Sequence, residues 1–278
     1  MADTMIDAIK RRVSVRTFSA EPVPPEVMDA FRGGMLRNGA DLFGNRPRFL
    51  VIDPREERLG ETAGLFTYGV VKNPGFFIAG AVPRGPGALT DFGYAMERHI
   101  LEAVSLGLGT CWLGGTFSRS AFSRAMGLRD GELLPAVSPL GIPAAEKSLV
   151  DGVLSFAARS RLRRPWKEIF HRGRPGVPLS PGEAGAYAEV LECVRMAPSA
   201  LNRQPWRVVR EESADVFHFY IVSEGGGGEI RLPEIDIGIA LCHFELAAGA
   251  LGLSGSWSGK TGSGGVEGWT HILTWEGR

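Results

Sequence analysis

The chain has 278 residues, the length of about two average domains or of one large one. Its 31 basic and 31 acidic residues give a formal net charge of zero, so no long-range field attracts nucleic acid or an anionic membrane, and we expect neither as a partner. Apolar residues make up 44% of the sequence, which is enough for a hydrophobic core and excludes a disordered linker.

The cysteines and the apolar stretches indicate a cytoplasmic protein. Cys111, Cys193 and Cys242 are far apart and include no CxxC pair, which argues against a disulfide framework or a structural zinc site. The N-terminus has no apolar run typical of a signal peptide. The longest uncharged stretch, residues 103–118, mixes glycine with polar residues and is shorter than the ~18 apolar residues of a membrane span.

In the first part of the chain, the pattern predicts a short helix over MIDAIKR and then two strands, followed by a long amphipathic helix and a third strand. The long helix begins near Asp91, has apolar residues at three- and four-residue spacing, and ends at Gly107-Leu108. The predicted strands are Phe49–Ile52, Phe76–Val82 and Ala136–Leu140.

The second part of the chain repeats this order. After a helix over YAEVLECVRM, the stretch RVVREESADVFHFYIV predicts a hairpin of Arg207–Val209 with Val216–Val222. A long helix from Asp236 to Gly252-Leu253 and a strand over His271–Trp275 follow. Because helices and strands are mixed without a regular βαβ alternation, the expected fold class is α+β.

The two long helices are similar in sequence. Asp91–Trp112 and Asp236–Trp257 align without a gap and are identical at nine of 22 positions. We interpret this as a duplication that joins two homologous halves, residues 1–172 and 179–278, through a Pro- and Gly-rich boundary at 171–185. Because both copies have the same apolar face, the repeat suggests a two-fold-related pair packed through these helices; the alternative is that each helix is buried in its own core.

The segment RVSVR is the first candidate site. In an extended chain Arg12, Ser14 and Arg16 lie on one side, where two guanidinium groups and a hydroxyl suit a phosphate. A solvated basic strand end is the alternative interpretation. A second basic cluster, RSRLRRP at 159–165, either completes this pocket or forms a polar turn.

Two loops are further candidates. In APSALNRQPW, Pro198 ends the preceding helix, and Ser199 and Asn202 offer hydrogen-bonding groups to a planar polar ligand, although most such loops are simple turns. In GLGTCWLGG, Gly114 and Gly115 let backbone N–H groups approach a ligand closely. The five histidines do not have the spacing of metal ligands, and the sequence has no GxSxG motif for a nucleophilic serine. Any catalysis is therefore expected to depend on a cofactor.

Five segments carry a resemblance to a known family, and they occur in the order that the family has: AIKRRVSVRTF, the Asp-x-Gly helix leading to GLGTCWLGG, PLGIP, RLRRPWKEI and APSALNRQPWRVV. The sequence resembles the nitroreductase-like family of FMN-dependent oxidoreductases. The family is usually a homodimer of shorter chains, and this sequence is similar to its fused, two-copy branch. The resemblance therefore implies a nitroreductase-like α+β fold in which the two halves form an intertwined pseudo-dimer, and a chain that works as a monomer.

The resemblance also implies an FMN site built from both halves. Its first-half residues are the phosphate-binding Arg12, Ser14, Arg16, Arg161 and Arg163, and the ring-binding Leu113, Gly114 and Gly115. Its second-half residues, which face the flavin ring, are Pro198, Ser199, Ala200 and Asn202. No protein side chain is expected to be the catalytic group, because the flavin supplies the chemistry.

A second FMN site, in which the two halves would exchange roles, lacks the residues that it needs; we call it the opposite site. GADLFGN, ending at Asn45, stands where the second half has APSALN, and the second half has no Arg-x-Ser-x-Arg element. We therefore expect one FMN per chain, reduced by NADH or NADPH and reoxidised by a nitroaromatic, a quinone or a similar small acceptor in a ping-pong cycle. The alternatives are another flavin reaction of the family, such as a specific dehydrogenation or reductive dehalogenation, and a flavin-free binding protein.

Overall fold

A computed structural model of the chain describes residues 4–37, 41–55, 67–145, 162–222, 229–261 and 266–278. The helices are α1 Met5–Arg11, α2 Pro25–Arg37, α3 Ala88–Ser105, α4 Arg119–Ala125, α5 Trp166–Ile169, α6 Pro181–Ala184, α7 Ala188–Met196 and α8 Leu232–Ala250. The strands are β1 Arg48–Ile52, β2 Phe76–Pro83, β3 Gly109–Thr110, β4 Glu132–Leu133, β5 Val137–Gly141, β6 Phe170–Arg172, β7 Trp206–Arg210, β8 Val216–Val222, β9 Gly255–Ser258 and β10 Trp269–Gly277. The mixed content confirms the α+β class.

Within these residues, the strands form two sheets of five strands each. The first has the order β1-β2-β5-β3, with β4 paired to β2, and the second has the order β6-β7-β8-β10-β9. The pairs of these strands are antiparallel except β6 with β7. The predicted β7–β8 hairpin is confirmed, as are the other predicted strands to within a few residues at their ends.

The two long helices end in the same way. Gly107 and Gly252 have positive φ angles of 80° and 73°, which glycine adopts without steric cost. The N–H of the following leucine reaches back five residues in each case, from Leu108 to the Ala103 carbonyl and from Leu253 to the Ala248 carbonyl, at 2.9 Å. This is the Schellman type of helix end, and it confirms the predicted Gly-Leu stops.

The long helices α3 and α8 pack directly against each other through the glycine of each Asp-x-Gly. A Cβ built at Gly93 would overlap the Ile235 carbonyl of α8, and one built at Gly238 would overlap the Thr90 carbonyl of α3. Only glycine at both positions permits this separation of the backbones. The structure thus shows that the two long helices pack against each other and are not buried in separate cores.

A buried polar network fixes the same helix pair. Glu97 of α3 accepts hydrogen bonds from His243 Nε2 of α8 at 2.9 Å and from Trp112 Nε1 at 2.6 Å. His243 Nδ1 in turn lies 2.9 Å from the Cys193 carbonyl of α7. Because Glu97 and His243 have no exposed surface, losing one partner would leave an uncompensated polar group in the core.

Two connections join the parts of the chain on either side of the boundary. The strand β6 lies within the range 1–172 that we assigned to the first half, yet it pairs in parallel with β7 of the second sheet. The helix α1 packs on α7, where Lys10 Nζ lies 2.6 Å from Glu189 Oε1. The main hydrophobic cluster accordingly contains side chains from both parts of the chain.

The helix crossing gives a stability prediction with an internal control. Gly93→Ala should lower the free energy of unfolding by about 1–3 kcal/mol, because the new methyl group meets backbone that must move. Gly249→Ala, in α8, should instead raise it by up to about 1 kcal/mol, because no atom lies within 4 Å of the position that its Cβ would take. Urea unfolding measures both, and equal effects of the two substitutions would contradict the close crossing.

Candidate functional site

The RVSVR segment runs along the edge of the first sheet. It leaves α1 at Arg12, and Ser14 pairs with Thr110 of β3 in parallel, with the Val15 N–H bonded to the Thr110 carbonyl at 2.8 Å. Val15 packs on Gly109, where a side chain would clash with it. The predicted extended conformation is therefore present, and the segment lies beside the strand that leads into the Leu113–Gly115 loop.

The three polar side chains of this segment are half-buried, while Val13 is 54% exposed. Nη1 of Arg16 is buried and has no hydrogen-bond partner among the described residues. A buried guanidinium nitrogen without an acceptor is costly, since it has lost its water without replacement. This orphaned donor is consistent with a site for an anion.

Arg163 and Asn202 are in direct contact although they are far apart in sequence. Arg163 Nη1 donates to Asn202 Oδ1 at 3.3 Å, and Nη2 donates to the Met196 carbonyl at the end of α7 at 2.9 Å. Asn202 Nδ2 donates to the Leu162 carbonyl at 2.7 Å. The structure thus brings the basic RLRRP segment to the second-half loop; Arg161 lies outside the described residues.

Arg12 belongs to the same positive cluster. Burial, followed by the nearby charges of Arg12 and Arg195, lowers the pKa of Arg163 to about 10, and Glu192 opposes the shift only in part. A guanidinium group loses its proton more readily only where like charges surround it and water is scarce. An anion bound here would compensate several positive charges at once.

The loop with Pro198 and Ser199 has an unusual backbone. Leu201, Asn202 and Gln204 have φ angles of 51°, 55° and 49°, in the left-handed region that asparagine tolerates better than leucine or glutamine. Ser199 Oγ accepts the Gln204 N–H at 2.9 Å, and the Ala200 N–H donates to Asp236 Oδ1 at 3.0 Å. Strain of this kind persists only where surrounding contacts enforce it.

Gln204 is a positioning residue that the sequence interpretation missed, because it was treated only as the start of a strand. Its side chain is 2% exposed. Oε1 accepts the Arg164 N–H at 2.8 Å, and Nε2 lies 3.1 Å from both the carbonyl and the side-chain oxygen of Asn202. In the sequence, Gln204 is marked only by the proline that follows it, and this does not indicate that its side-chain amide is buried.

The Leu113–Gly115 loop meets the same end of α8. A Cβ built at Gly114 would lie 3.5 Å from Leu232, the first residue of α8, and Gly115 faces open space. Asp236, which holds Ala200, follows Leu232 by about one helical turn. Both predicted ring-binding loops therefore lie at the start of α8.

Leu113 itself differs from the other members of this loop. Its side chain is 3% exposed and lies in the second hydrophobic cluster, while its backbone forms a two-way bridge with Val137. Neither Gly114 nor Gly115 donates a backbone hydrogen bond to another described main-chain group. The backbone of Gly114 and Gly115, rather than the Leu113 side chain, is what this loop offers to a ligand.

The corresponding loop of the first part of the chain is bonded differently. Asp91 accepts the N–H groups of Leu42, Phe43 and Asn45, and it also accepts Asn45 Nδ2 at 2.9 Å. Asn45 Nδ2 further bonds the Pro86 carbonyl at 3.0 Å. The amide of Asn45 is thus directed at the start of α3, whereas that of Asn202 is directed at the basic cluster.

The family is decided by the sequence as a whole. Residues 4–248 match the family described as "Putative TM nitroreductase". The chain belongs to this family. A relative from Methanothermobacter thermautotrophicus, named "Putative NADH dehydrogenase/NAD(P)H nitroreductase", is 28% identical over 152 residues, which are 50% of this chain and 78% of that protein.

One of the similar solved structures shows the fold type. A "putative nitroreductase" of Thermotoga maritima superposes with a TM-score of 0.60 at 20% identity, over 99% of this chain and 94% of that one. A nitroreductase with bound FMN from Bacteroides fragilis has a TM-score of 0.40 at 20% identity, over 52% of this chain and 91% of that one. The Thermotoga likeness shows that the fold is of the nitroreductase type.

Metal clusters and membrane-spanning helices are both absent from the described residues. The described residues contain no group of three or more His, Cys, Asp or Glu side chains that could hold a metal ion. Within the same residues, no helix has the length and hydropathy to cross a bilayer.

Asp236 gives a pH-dependent prediction. Burial raises its pKa from 3.8 to about 7, against the opposing bond from Ala200 and the charge of Arg203. Since the folded state then binds a proton that the unfolded state has lost, this group lowers stability progressively as the pH rises from about 4 to 7.

Asp236→Asn keeps an oxygen for the Ala200 N–H and cannot ionise. Its free energy of unfolding relative to the parent should therefore increase between about pH 4 and 7 and stay constant above about pH 8. Urea unfolding at several pH values measures this difference. A difference that does not change with pH would show that Asp236 does not titrate in this range.

Proposed function

We propose that the chain is an FMN-dependent oxidoreductase that uses NADH or NADPH to reduce a nitroaromatic, a quinone or a similar small acceptor in a ping-pong cycle. Membership of a nitroreductase family supports the general class of reaction. The observation that carries the proposal for this chain is the buried Nη1 of Arg16, which has no hydrogen-bond partner in the part of the chain that the structure describes; the same segment contributes Arg12 to a positive cluster.

The residues present fit the phosphate of FMN. Arg12, Ser14 and Arg16 lie on one extended segment, and Arg163 reaches the neighbourhood of Arg12 from the other basic segment. Guanidinium groups bind phosphate oxygens through charge and paired N–H donors. A phosphate there would give Arg16 its missing acceptor and relieve the repulsion around Arg163; Arg161 is proposed as a further phosphate ligand.

The flavin ring would be held by the two loops at the start of α8. Asn202, with Pro198, Ser199 and Ala200, would bind the polar edge of the ring, and the N–H groups of Gly114 and Gly115 would approach it from the other loop. When bound, FMN supplies two-electron redox chemistry between the nicotinamide and the acceptor. The protein's part is to orient the ring through fixed dipoles, with Gln204 and Asp236 holding the Asn202 loop.

We also infer that residues 1–172 and 179–278 are duplicated halves that form an intertwined pseudo-dimer. The matching helix ends, the reciprocal glycine contacts and the equivalent Asp91 and Asp236 support this inference. In this arrangement each half supplies a different part of one site. The single chain then works as a monomer, in the cytoplasm, without a nucleic acid or membrane partner.

The opposite site is proposed to be non-functional. Asn45, the counterpart of Asn202, is bonded to Asp91 and Pro86, and no Arg-x-Ser-x-Arg element occurs in the second half. A flavin at that position would have neither the phosphate-binding arginines nor an asparagine amide directed towards a basic cluster.

Three variants test the proposed site. Arg16→Ala and Asn202→Ala should each weaken FMN binding by about tenfold to a hundredfold, because each removes a hydrogen bond to a charged or polar ligand group. Asn45→Ala is the matched control: it also removes a loop asparagine next to a long helix, and it should leave FMN affinity unchanged. Fluorescence titration of the apoprotein with FMN measures all three.

Other outcomes separate the alternatives. Equal loss of affinity at Asn45 would contradict the one-site arrangement. Protein that takes up no FMN would support the flavin-free binding protein. Bound FMN that NADH and NADPH reduce, but that neither nitroaromatics nor quinones reoxidise, would favour a different flavin reaction, such as a specific dehydrogenation or a dehalogenation.

A further inference from the structure

A second pocket lies at the opposite end of α8 from the proposed flavin site. It has a volume of about 610 Å³ and lies between the start of α1, the middle of α3, the last turns of α8 and the strand β10. Pockets for small ligands typically measure about 300–1,000 Å³. No residue of this pocket takes part in the site described above.

Two buried N–H donors in the pocket lining have no partner. Nε of Arg98 and Nε1 of Trp275 are buried without a hydrogen-bond partner among the described residues. Trp275 is only 4% exposed, and Cε2 of its indole, the carbon bonded to this nitrogen, lies close to Gly255, which also lines the pocket. Such donors are rare in folded proteins and favour a ligand that supplies an acceptor.

A cation and an anion, Arg98 and Glu245, line the pocket. Arg98 Nη1 donates to the Tyr94 hydroxyl at 3.1 Å, and Glu245 accepts Trp257 Nε1 at 2.5 Å. Burial raises the pKa of Tyr94, and the nearby Cys242 and Glu245 raise it further, so this phenol stays neutral beside Arg98 and Glu245. The remaining wall is apolar or small, with Met5, Leu246 and Leu253 beside Gly249 and Gly252.

The proposed duplication explains why this position is open. Gly249 corresponds to Val104 of α3 in the ungapped alignment, and the Val104 carbonyl accepts a hydrogen bond from Arg11 of α1 at 3.3 Å. The described part of residues 179–278 has no counterpart of α1 that would cover α8 in the same way. The pocket is therefore lined by a helix surface that is covered in the first half.

We propose that this pocket binds an apolar α-amino acid or a closely similar zwitterion. Its carboxylate would accept hydrogen bonds from Arg98 and Trp275, its ammonium group would face Glu245, and its side chain would lie against Met5, Leu246 and Leu253. A simple carboxylate brings a second anion close to Glu245 with no cation of its own to offset it, and a simple amine leaves both N–H donors without an acceptor.

Calorimetric titration of the full chain tests this inference independently of FMN. The probes are L-leucine and L-phenylalanine, together with 4-methylpentanoate and 3-methylbutan-1-amine, which are leucine without its amine and without its carboxylate. At least one amino acid should bind saturably at one site, and each truncated analogue should bind about tenfold more weakly than leucine or worse.

Two glycine variants locate the site. Gly249→Leu places an isobutyl group in the pocket at an exposed helical position with no atom within 4 Å, so it should fold normally and abolish binding. Gly182→Leu, at an equally open helical position in α6, should bind like the parent. The proposal is overturned if neither amino acid binds, if an analogue binds as tightly as leucine, or if Gly249→Leu retains the affinity.

Discussion

The close crossing of α3 and α8 is the constraint on which the candidate site depends. Gly93 and Gly238 each lie against a backbone carbonyl of the other helix, so the crossing point is fixed near the first turns of both. That geometry places the start of α8 beside the loop after α3, where Leu232 meets Gly114. It also carries Asp236, and with it the Ala200 backbone, to the same place. Glu97 and His243 then fix the rotation of the helices and hold Trp112, the residue before the loop.

The candidate site contains several arrangements that lower the stability of the fold. Arg163 lies close to the positive charges of Arg12 and Arg195. Nη1 of Arg16 has no acceptor among the described residues. Asp236 is buried and accepts a hydrogen bond from the Ala200 N–H. Each of these arrangements lowers the stability of the folded chain, because charges or polar groups are buried without full compensation. The same features are expected where a protein keeps donors ready for an anionic ligand, since local conflicts with folding tend to occur at functional sites. The strained backbone at Leu201–Asn202 belongs to the same group.

Much of the fold was predictable because it follows from local patterns. The strands β2 and β8, the hairpin and both Gly-Leu helix ends were recognised from periodicity and turn residues, which depend on neighbours in sequence. The repeat pointed to packed long helices, and the reciprocal glycines are the physical reason. The role of Gln204, the pairing of β6 with the second sheet and the burial of Leu113 could not be predicted. These features depend on contacts between distant segments, such as Arg164 with Gln204, that leave no local signal.

We infer that parts from both sides of the boundary form one flavin site per chain. The most direct measurement is the amount of FMN released from purified, FMN-saturated protein after denaturation, quantified by absorbance against the chain concentration. A one-site chain releases one FMN per chain. A value of two would show that the Asn45 side is also functional, and a value of zero would show that the arginine cluster serves another anion; either result would contradict this inference.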